Sequence, residues 1–442
     1  FDICSSQPVL WNFIKNTYLF TFPFSSFIFI RFLYTRFFIH FSFRNFNFFN
    51  TTEFADISFL NNNFSLFVGN NYSDNSPIYL QESGLFQNFL ITGTIGTGKT
   101  SSAIYPFVEQ LMEYKSYNTK EKLGMLILDV KGNFYNYVSN IVCKYDLQND
   151  LFVISLHNNV FYNPLHKPNL KPQILANRLK TILTLFSENN SESYWLDKAE
   201  QILAEAIKFC RLYNNGYVTF VELHKLITDT SYYFSKVNFL RDLFVSSNFS
   251  NRDIYELNEC LNFFQNEFLC LDERTKGILV SEITRITTVF VSDYDVCSTF
   301  CPPKNKLNFD GFSDIIKNGK IVVLNMNIAK YKNLSKIIAA YLKLDFQSEV
   351  LIQLSNKKSI SPTVFMCDEY HEYVTLSDSD FFAQSREAKC INIVATQSYT
   401  SLLNTLKDES SVKVILQNLV NKIWLRTDDI FTIESAQKQI GR

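Results

Sequence analysis

The stretch Asn88–Ser101 reads NFLITGTIGTGKTS. The apolar run Phe89-Leu90-Ile91 leads into Gly93-Thr94-Ile95-Gly96-Thr97-Gly98-Lys99-Thr100, which fits G-x-x-x-x-G-K-[ST] without mismatch. Glycines at these places let the backbone turn tightly and bring its N–H groups against phosphate oxygens, which a Cβ would obstruct. A helix starting near Gly98 points its positive end at the same anion. Lys99 is spaced to reach β- and γ-phosphates, and the Thr100 hydroxyl to ligate Mg²⁺. Thr94, Thr97 and Ser101 complete the expected cradle. The bland alternative is a glycine-rich turn between a strand and a helix. Its flanks favour the cradle: a buried-strand pattern precedes it, and Ala103, Ile104, Phe107, Val108 and Leu111 follow at helical spacing. This stretch predicts a strand, a loop that holds ATP or GTP, and a helix.

Further strands follow from continuous apolar runs. They are Gly124–Asp129, Leu151–Ser155, Gly319–Met326, Thr363–Glu369, Cys390–Gln397 and Lys422–Arg426. Such runs suit parallel strands buried on both faces. With helical patterns between them they predict a doubly wound α/β sheet, whose ligands bind at the carboxyl ends of the strands. Ser65–Val68 and Ile78–Leu80 are candidate short edge strands, after an irregular polar lead-in over Asn50–Ser76. From about 171 to 304 the periodicity is helical. Trp195-Leu196, Ala199, Ile202-Leu203, Ala206 and Cys210 line one face, and Leu271, Ile278-Leu279, Ile283, Ile286 and Phe290 another. The expected organisation is a nucleotide-binding domain in two parts, 51–170 and 305–442, interrupted by an all-α insertion at 171–304.

Net charge is −1, so nucleic acid would have to be met by a local loop or pore and not by a whole basic face. The nine cysteines are scattered without a C-x-x-C, as in a reducing compartment. The first fifty residues differ from the rest: they hold fifteen of the 44 phenylalanines and a single acid, Asp2. Asn16–Ile30 is an uncharged, mostly apolar run, short for a span, with Lys15 before it and Arg31, Arg36 and Arg44 after it. A membrane anchor in 1–50 with a cytoplasmic following domain is the expectation, and an amphipathic surface segment or a wrongly assigned start is the alternative. The initial Phe in place of Met makes a missing upstream piece an expectation too.

Asp368-Glu369 closes a buried strand and suits a pair in which Asp368 holds Mg²⁺ through water and Glu369 orients or deprotonates the attacking water. Gln397 ends the next strand and is placed as a polar sensor of the γ-phosphate, or as an amide capping a loop. Arg386 lies between these two strands. It reads as an arginine finger reaching a neighbouring subunit, or as a surface arginine paired with Glu387 or Glu372.

Taken together, CDEYHEY (367–373), QSREAKCINIVATQSYTSLL (384–403), NLVNKIWLRTDD (418–429) and the terminal IGR resemble the C-terminal part of the TraG/TraD-type coupling proteins of type IV secretion and conjugation. The matching residues are Asp368, Glu369, Arg386, Gln397-Ser398, Asn418 or Asn421, Lys422-Ile423 and Ile440-Gly441. The likeness extends back through Gly319–Asn325, Tyr162-Asn163-Pro164-Leu165, Leu128-Asp129-Val130-Lys131-Gly132 and the phosphate loop, so it covers about 80–442 in order. It implies a hexameric, RecA-like P-loop ATPase with an N-terminal anchor, at the cytoplasmic face of the bacterial inner membrane. It also implies ATP and Mg²⁺ as cofactors, and DNA or a relaxase–DNA complex delivered to secretion-channel components. One departure is Asn133, where the family carries Glu in Asp-Pro-Lys-Gly-Glu; Asn133 is given no role. An FtsK-like DNA translocase or another secretion motor is an alternative, and a nucleotide-switched receptor without translocation is a third reading.

Overall fold

A computed structural model describes residues 8–33, 64–118, 121–129, 131–186, 193–246, 250–355 and 360–441. Contacts divide the chain into two units, Phe1–Asn63 and Phe64–Arg442. In the first, one helix spans Pro8–Leu33, contains Pro23 and includes the Asn16–Ile30 run. Among the described residues no helix is long and apolar enough to cross a membrane. The remainder of the expected anchor, 1–7 and 34–50, and most of the polar lead-in, 50–63, lie outside the described residues.

The second unit is built on a seven-stranded sheet. Its strands are β3 (Phe89–Thr92), β4 (Gly124–Asp129), β5 (Leu151–Ile154), β6 (Ile321–Asn325), β7 (Thr363–Cys367), β8 (Cys390–Thr396) and β9 (Asn421–Trp424). They lie in the order β5-β6-β4-β7-β8-β3-β9, and every pairing is parallel. This is the α/β, RecA-like P-loop architecture expected from the sequence. The two candidate edge strands, β1 (Ser65–Asn70) and β2 (Pro77–Gln81), pair antiparallel in a small sheet of their own. Their partly exposed pattern suits one solvated face, unlike the continuous apolar runs of the main strands.

The fully buried strands divide their side chains between two cores, as the twofold alternation of a strand requires. Ile91, Ile127, Val323, Met366 and Ile393 meet Phe107, Leu111 and Val138 from the helices Tyr105–Glu113 and Phe134–Lys144. Leu90, Leu126, Leu128, Phe365 and Val394 turn the other way. There they join Ile338 and Phe346 from the helix Asn333–Ser355 together with Leu179, Leu203, Phe264 and Ile286 from the helical stretch.

That stretch runs from Pro172–Thr184 to Tyr294–Phe300, with no strand among its described residues. Its helix starts are fixed by side chains: Thr219–Glu222 and Ser250–Asp253 form capping boxes, and Asp272 and Asp293 accept from backbone N–H groups. It shares one core with the sheet and does not stand off as a separate body.

Asn333–Ser355 is buried nearly all round, including Lys343 and Asp345. Both charges have partners. Lys343 Nζ donates to Asp378 Oδ2 at 2.6 Å, to the Tyr373 carbonyl at 2.7 Å and to Thr375 Oγ1 at 2.9 Å. Asp345 accepts from Arg178 at 2.8 Å and pairs with Lys167 at 2.6 Å, with the Tyr162 hydroxyl 3.3 Å away. One helix thus ties the segment after β7 to the entrance of the helical stretch.

Candidate nucleotide site

β3 ends in the phosphate loop, and its two neighbours hold the base of that loop. Gly93 N–H donates to the Thr396 carbonyl at 3.3 Å, and Thr94 N–H to the Arg426 carbonyl at 2.9 Å. Thr97 Oγ1 closes the turn onto the Thr94 carbonyl at 2.8 Å. Gly96 and Gly98 have φ of 80° and 91°, a region that L side chains with a Cβ rarely adopt. The first turn after the loop, Lys99–Ile104, is π-helical before the chain settles into Tyr105–Glu113. Tyr105 N–H closes this wider turn on the Thr100 carbonyl, and Pro106 sits in the first turn of the following helix, where its missing N–H is tolerated. Ser101 is exposed on that turn.

Lys99 is buried, and Nζ donates to the Gly93 carbonyl at 2.6 Å and the Thr94 carbonyl at 3.3 Å. Burial lowers its pKa, against the opposing pull of Glu369 and Asp368. Thr100 Oγ1 donates to Asp368 Oδ2 at 2.9 Å. The loop hydroxyl and the acid after β7 are therefore adjacent, though 268 residues apart in sequence.

The carboxyl ends of β4, β7 and β8 form the opposite wall. Glu369 follows Asp368 with φ 50° and ψ 49°, a left-handed conformation that aims its side chain along the edge of the sheet. Glu369 Oε1 accepts from Lys131 Nζ at 3.1 Å, and Oε2 from Gln397 Nε2 at 3.3 Å. His371 Nδ1 lies 3.7 Å from Oε2 and within 3.3 Å of Thr396 Oγ1. Burial, reinforced by the Glu369 charge, raises the pKa of Asp368 even with the Thr100 hydrogen bond. Burial opposes the Glu369 charge too, but the Lys131 hydrogen bond and the Lys99 and Lys131 charges outweigh it and lower that pKa. Two adjacent carboxyls are thus pushed in opposite directions, Asp368 by burial and its neighbour's charge and Glu369 by its two lysines.

Gly93, Thr94, Gly96, Thr97, Gly98, Lys99, Thr100, Asp368, Glu369 and Gln397 come together at one edge of the sheet. Arg386 does not join them in its own chain. It is exposed at the end of the helix Asp378–Ser385, just before β8 begins, and so lies at the amino-terminal edge, a strand's length from Gln397. Of its two expected surface partners, Glu372 is engaged by Lys336 at 2.5 Å. Lys131 and His371 were quoted in the sequence motifs without a role; the neighbouring of β4 and β7 brings Lys131 to Glu369, and His371 lies two residues beyond it on the same turn. Asp129 is spent locally: its oxygens accept from Lys131 N–H at 2.9 Å and Phe134 N–H at 2.8 Å, starting the next helix. Asn133 makes no side-chain cap there.

The cradle fits a nucleotide phosphate. Gly98, at φ 91°, turns the backbone into the helix at a conformation that a residue with a Cβ rarely takes. The hard oxygens of Thr100 and Asp368, side by side, suit Mg²⁺.

No protein-family model and no curated protein sequence matches the chain. Solved structures do. The bacterial conjugative coupling protein TrwB, in its unbound form, aligns with TM-score 0.51 at 11% identity, over 77% of this chain and 69% of its own. Plasmid coupling protein TrwB in complex with ADP and Mg²⁺ aligns with TM-score 0.50 at 11% identity, over 76% and 70%. VirB4 of Thermoanaerobacter pseudethanolicus aligns with TM-score 0.50 at 14% identity, over 85% and 87%. The chain carries the fold shared by conjugative coupling proteins and VirB4.

Proposed function

We propose that this chain is an ATP-hydrolysing motor of the type IV secretion and conjugation class, which recruits DNA or a relaxase–DNA complex and drives it into a membrane channel. The observation that carries the reading is the meeting of Thr100, Asp368, Glu369 and Gln397 on three adjacent strand ends beside the glycine loop. The ordered coupling-protein motifs and the TrwB-like fold support its assignment to conjugation. A homo-hexamer at the cytoplasmic face of the cell membrane, with the N-terminal region as anchor, belongs to the same reading.

In this mechanism ATP is the substrate, and bound Mg²⁺ would supply neutralisation of the charge that develops on its γ-phosphoryl group. The loop N–H groups and Lys99 bind the phosphates, with the ammonium exchanging the Gly93 and Thr94 carbonyls for phosphate oxygens. Thr100 would ligate the metal and Asp368 would hold it through water. Glu369 accepts the proton of the attacking water at a carboxylate oxygen, and the Gln397 amide, next to it, marks the side from which the γ-phosphate is sensed.

The test is multi-turnover ATP hydrolysis with and without DNA. Stimulation by DNA, lost in Lys99→Ala, is the expected result. Hydrolysis indifferent to DNA would favour another secretion motor, a second reading that the VirB4 likeness over 85% of the chain supports. Single-turnover behaviour with nucleotide-dependent docking would favour a switched receptor.

A further inference from the structure

Glu369 is held from both sides, and the two holds differ. On Oε2 the hydrogen-bond donor is a neutral amide from β8 at 3.3 Å, with His371 Nδ1 farther off at 3.7 Å. On Oε1 it is the ammonium of Lys131 at 3.1 Å, from the turn after β4. This turn is itself fixed. Asp129 accepts the Lys131 N–H, the Asn327 side chain donates to the Lys131 carbonyl at 2.6 Å, and Gly132 takes φ 75° between them. Three adjacent strands, β6, β4 and β7, therefore contribute to one contact. The Lys131 side chain is 51% exposed while that of Glu369 is 5% exposed, so the lysine reaches in from solvent to a buried acid.

We propose that Lys131 is a positioning residue for the general base: by taking Oε1, it leaves Oε2, the oxygen beside Gln397, as the one that receives the water's proton. A carboxylate free to rotate would present either oxygen and either lone pair. One charged partner on the far side selects a single orientation, at an entropic cost already met in the resting protein. Lys131 does not touch the phosphate loop: Lys99 occupies the carbonyls there. The assignment rests on the proposed function, in which Glu369 is the base.

The experiment measures steady-state hydrolysis, fluorescent-ATP affinity and thermal melting for Lys131→Met, Lys131→Arg, Glu369→Gln and the Lys131→Met/Glu369→Gln double variant. Lys131→Met is expected to lower kcat by roughly tenfold to a hundredfold, with KM and nucleotide affinity unchanged. Lys131→Arg restores most of the rate, because it keeps a cation on Oε1. In the Glu369→Gln background, Lys131→Met costs no further rate. Unchanged turnover in Lys131→Met, a parallel loss of nucleotide affinity, or no recovery with arginine would overturn the proposal. If the wild-type chain fails to hydrolyse ATP, the proposed function falls by itself. Melting then still decides whether the contact exists: non-additive shifts in the double variant support it, and additive shifts refute it.

Discussion

Glu369 and Asp378 lie on one segment after β7, each in an ion pair with a lysine, and the two pairs are built differently. Lys343–Asp378 has both side chains fully buried at 2.6 Å. Asp378 has three further donors: Tyr370 OH and Thr375 N–H on Oδ2, and Gln347 Nε2 on Oδ1. Lys131–Glu369 is longer, half open to solvent on the lysine side, and shares its acid with a neutral amide. Removing one member of a buried pair leaves an uncompensated charge, whereas an open pair exchanges partners at small cost. One pair fixes the segment and the other stays available for chemistry.

Variants can break this contrast, and the strongest lies just beyond it. Arg386 caps the far end of the helix that Asp378 begins, as a third, exposed charge. A trans arginine is worth about 10³–10⁵ in rate. We expect Arg386→Ala and Lys99→Ala subunits, each inactive alone, to regain hydrolysis when mixed, because only a mixed interface joins an intact loop to an intact arginine. Normal hydrolysis by Arg386→Ala in assembled rings would rule the role out.

Glu369→Gln comes next, with hydrolysis down by roughly two to four orders of magnitude and fluorescent-ATP binding kept. Loss of binding would mean that the open pair is structural after all.

Lys343→Met should show the reverse: destabilisation of about 3–5 kcal/mol in denaturant unfolding, read as an earlier midpoint. Replacing both partners, Lys343→Met with Asp378→Leu, should recover much of that loss. A single variant as stable as wild type would erase the distinction between the pairs.

The exposed Lys413–Glu409 pair, 2.7 Å apart on a helix surface, sets the lower bound. Lys413→Ala should change stability by no more than about 0.5 kcal/mol in the same unfolding measurement.

The same contrast explains what was legible in the sequence. The cradle is local: its glycines, lysine and threonine sit within one loop, and backbone geometry dictates residue type at each place. Asp368 and Gln397 were legible because each ends an apolar run. Lys343 and Asp345 were not, since in Leu342-Lys343-Leu344-Asp345-Phe346 a charge next to an apolar residue on a helix is ordinarily solvated, and nothing in the local pattern marks these two as buried. Their partners, Asp378, Lys167 and Arg178, lie far away in sequence, and no spacing rule connects them. Lys131 was hidden for the same reason, its link to Glu369 depending on β4 and β7 being neighbours. The helical stretch was legible as helices. Its fusion with the sheet's core was not, because amphipathic periodicity reveals that a face is buried and not against what.

Lys99 bonded to the Gly93 and Thr94 carbonyls has a consequence for the loop's shape. The ammonium bridges the two ends of its own loop and so acts as an internal strut. The loop's N–H groups are then held in one arrangement by the chain itself, and the entropy of ordering them is met on folding and not on binding.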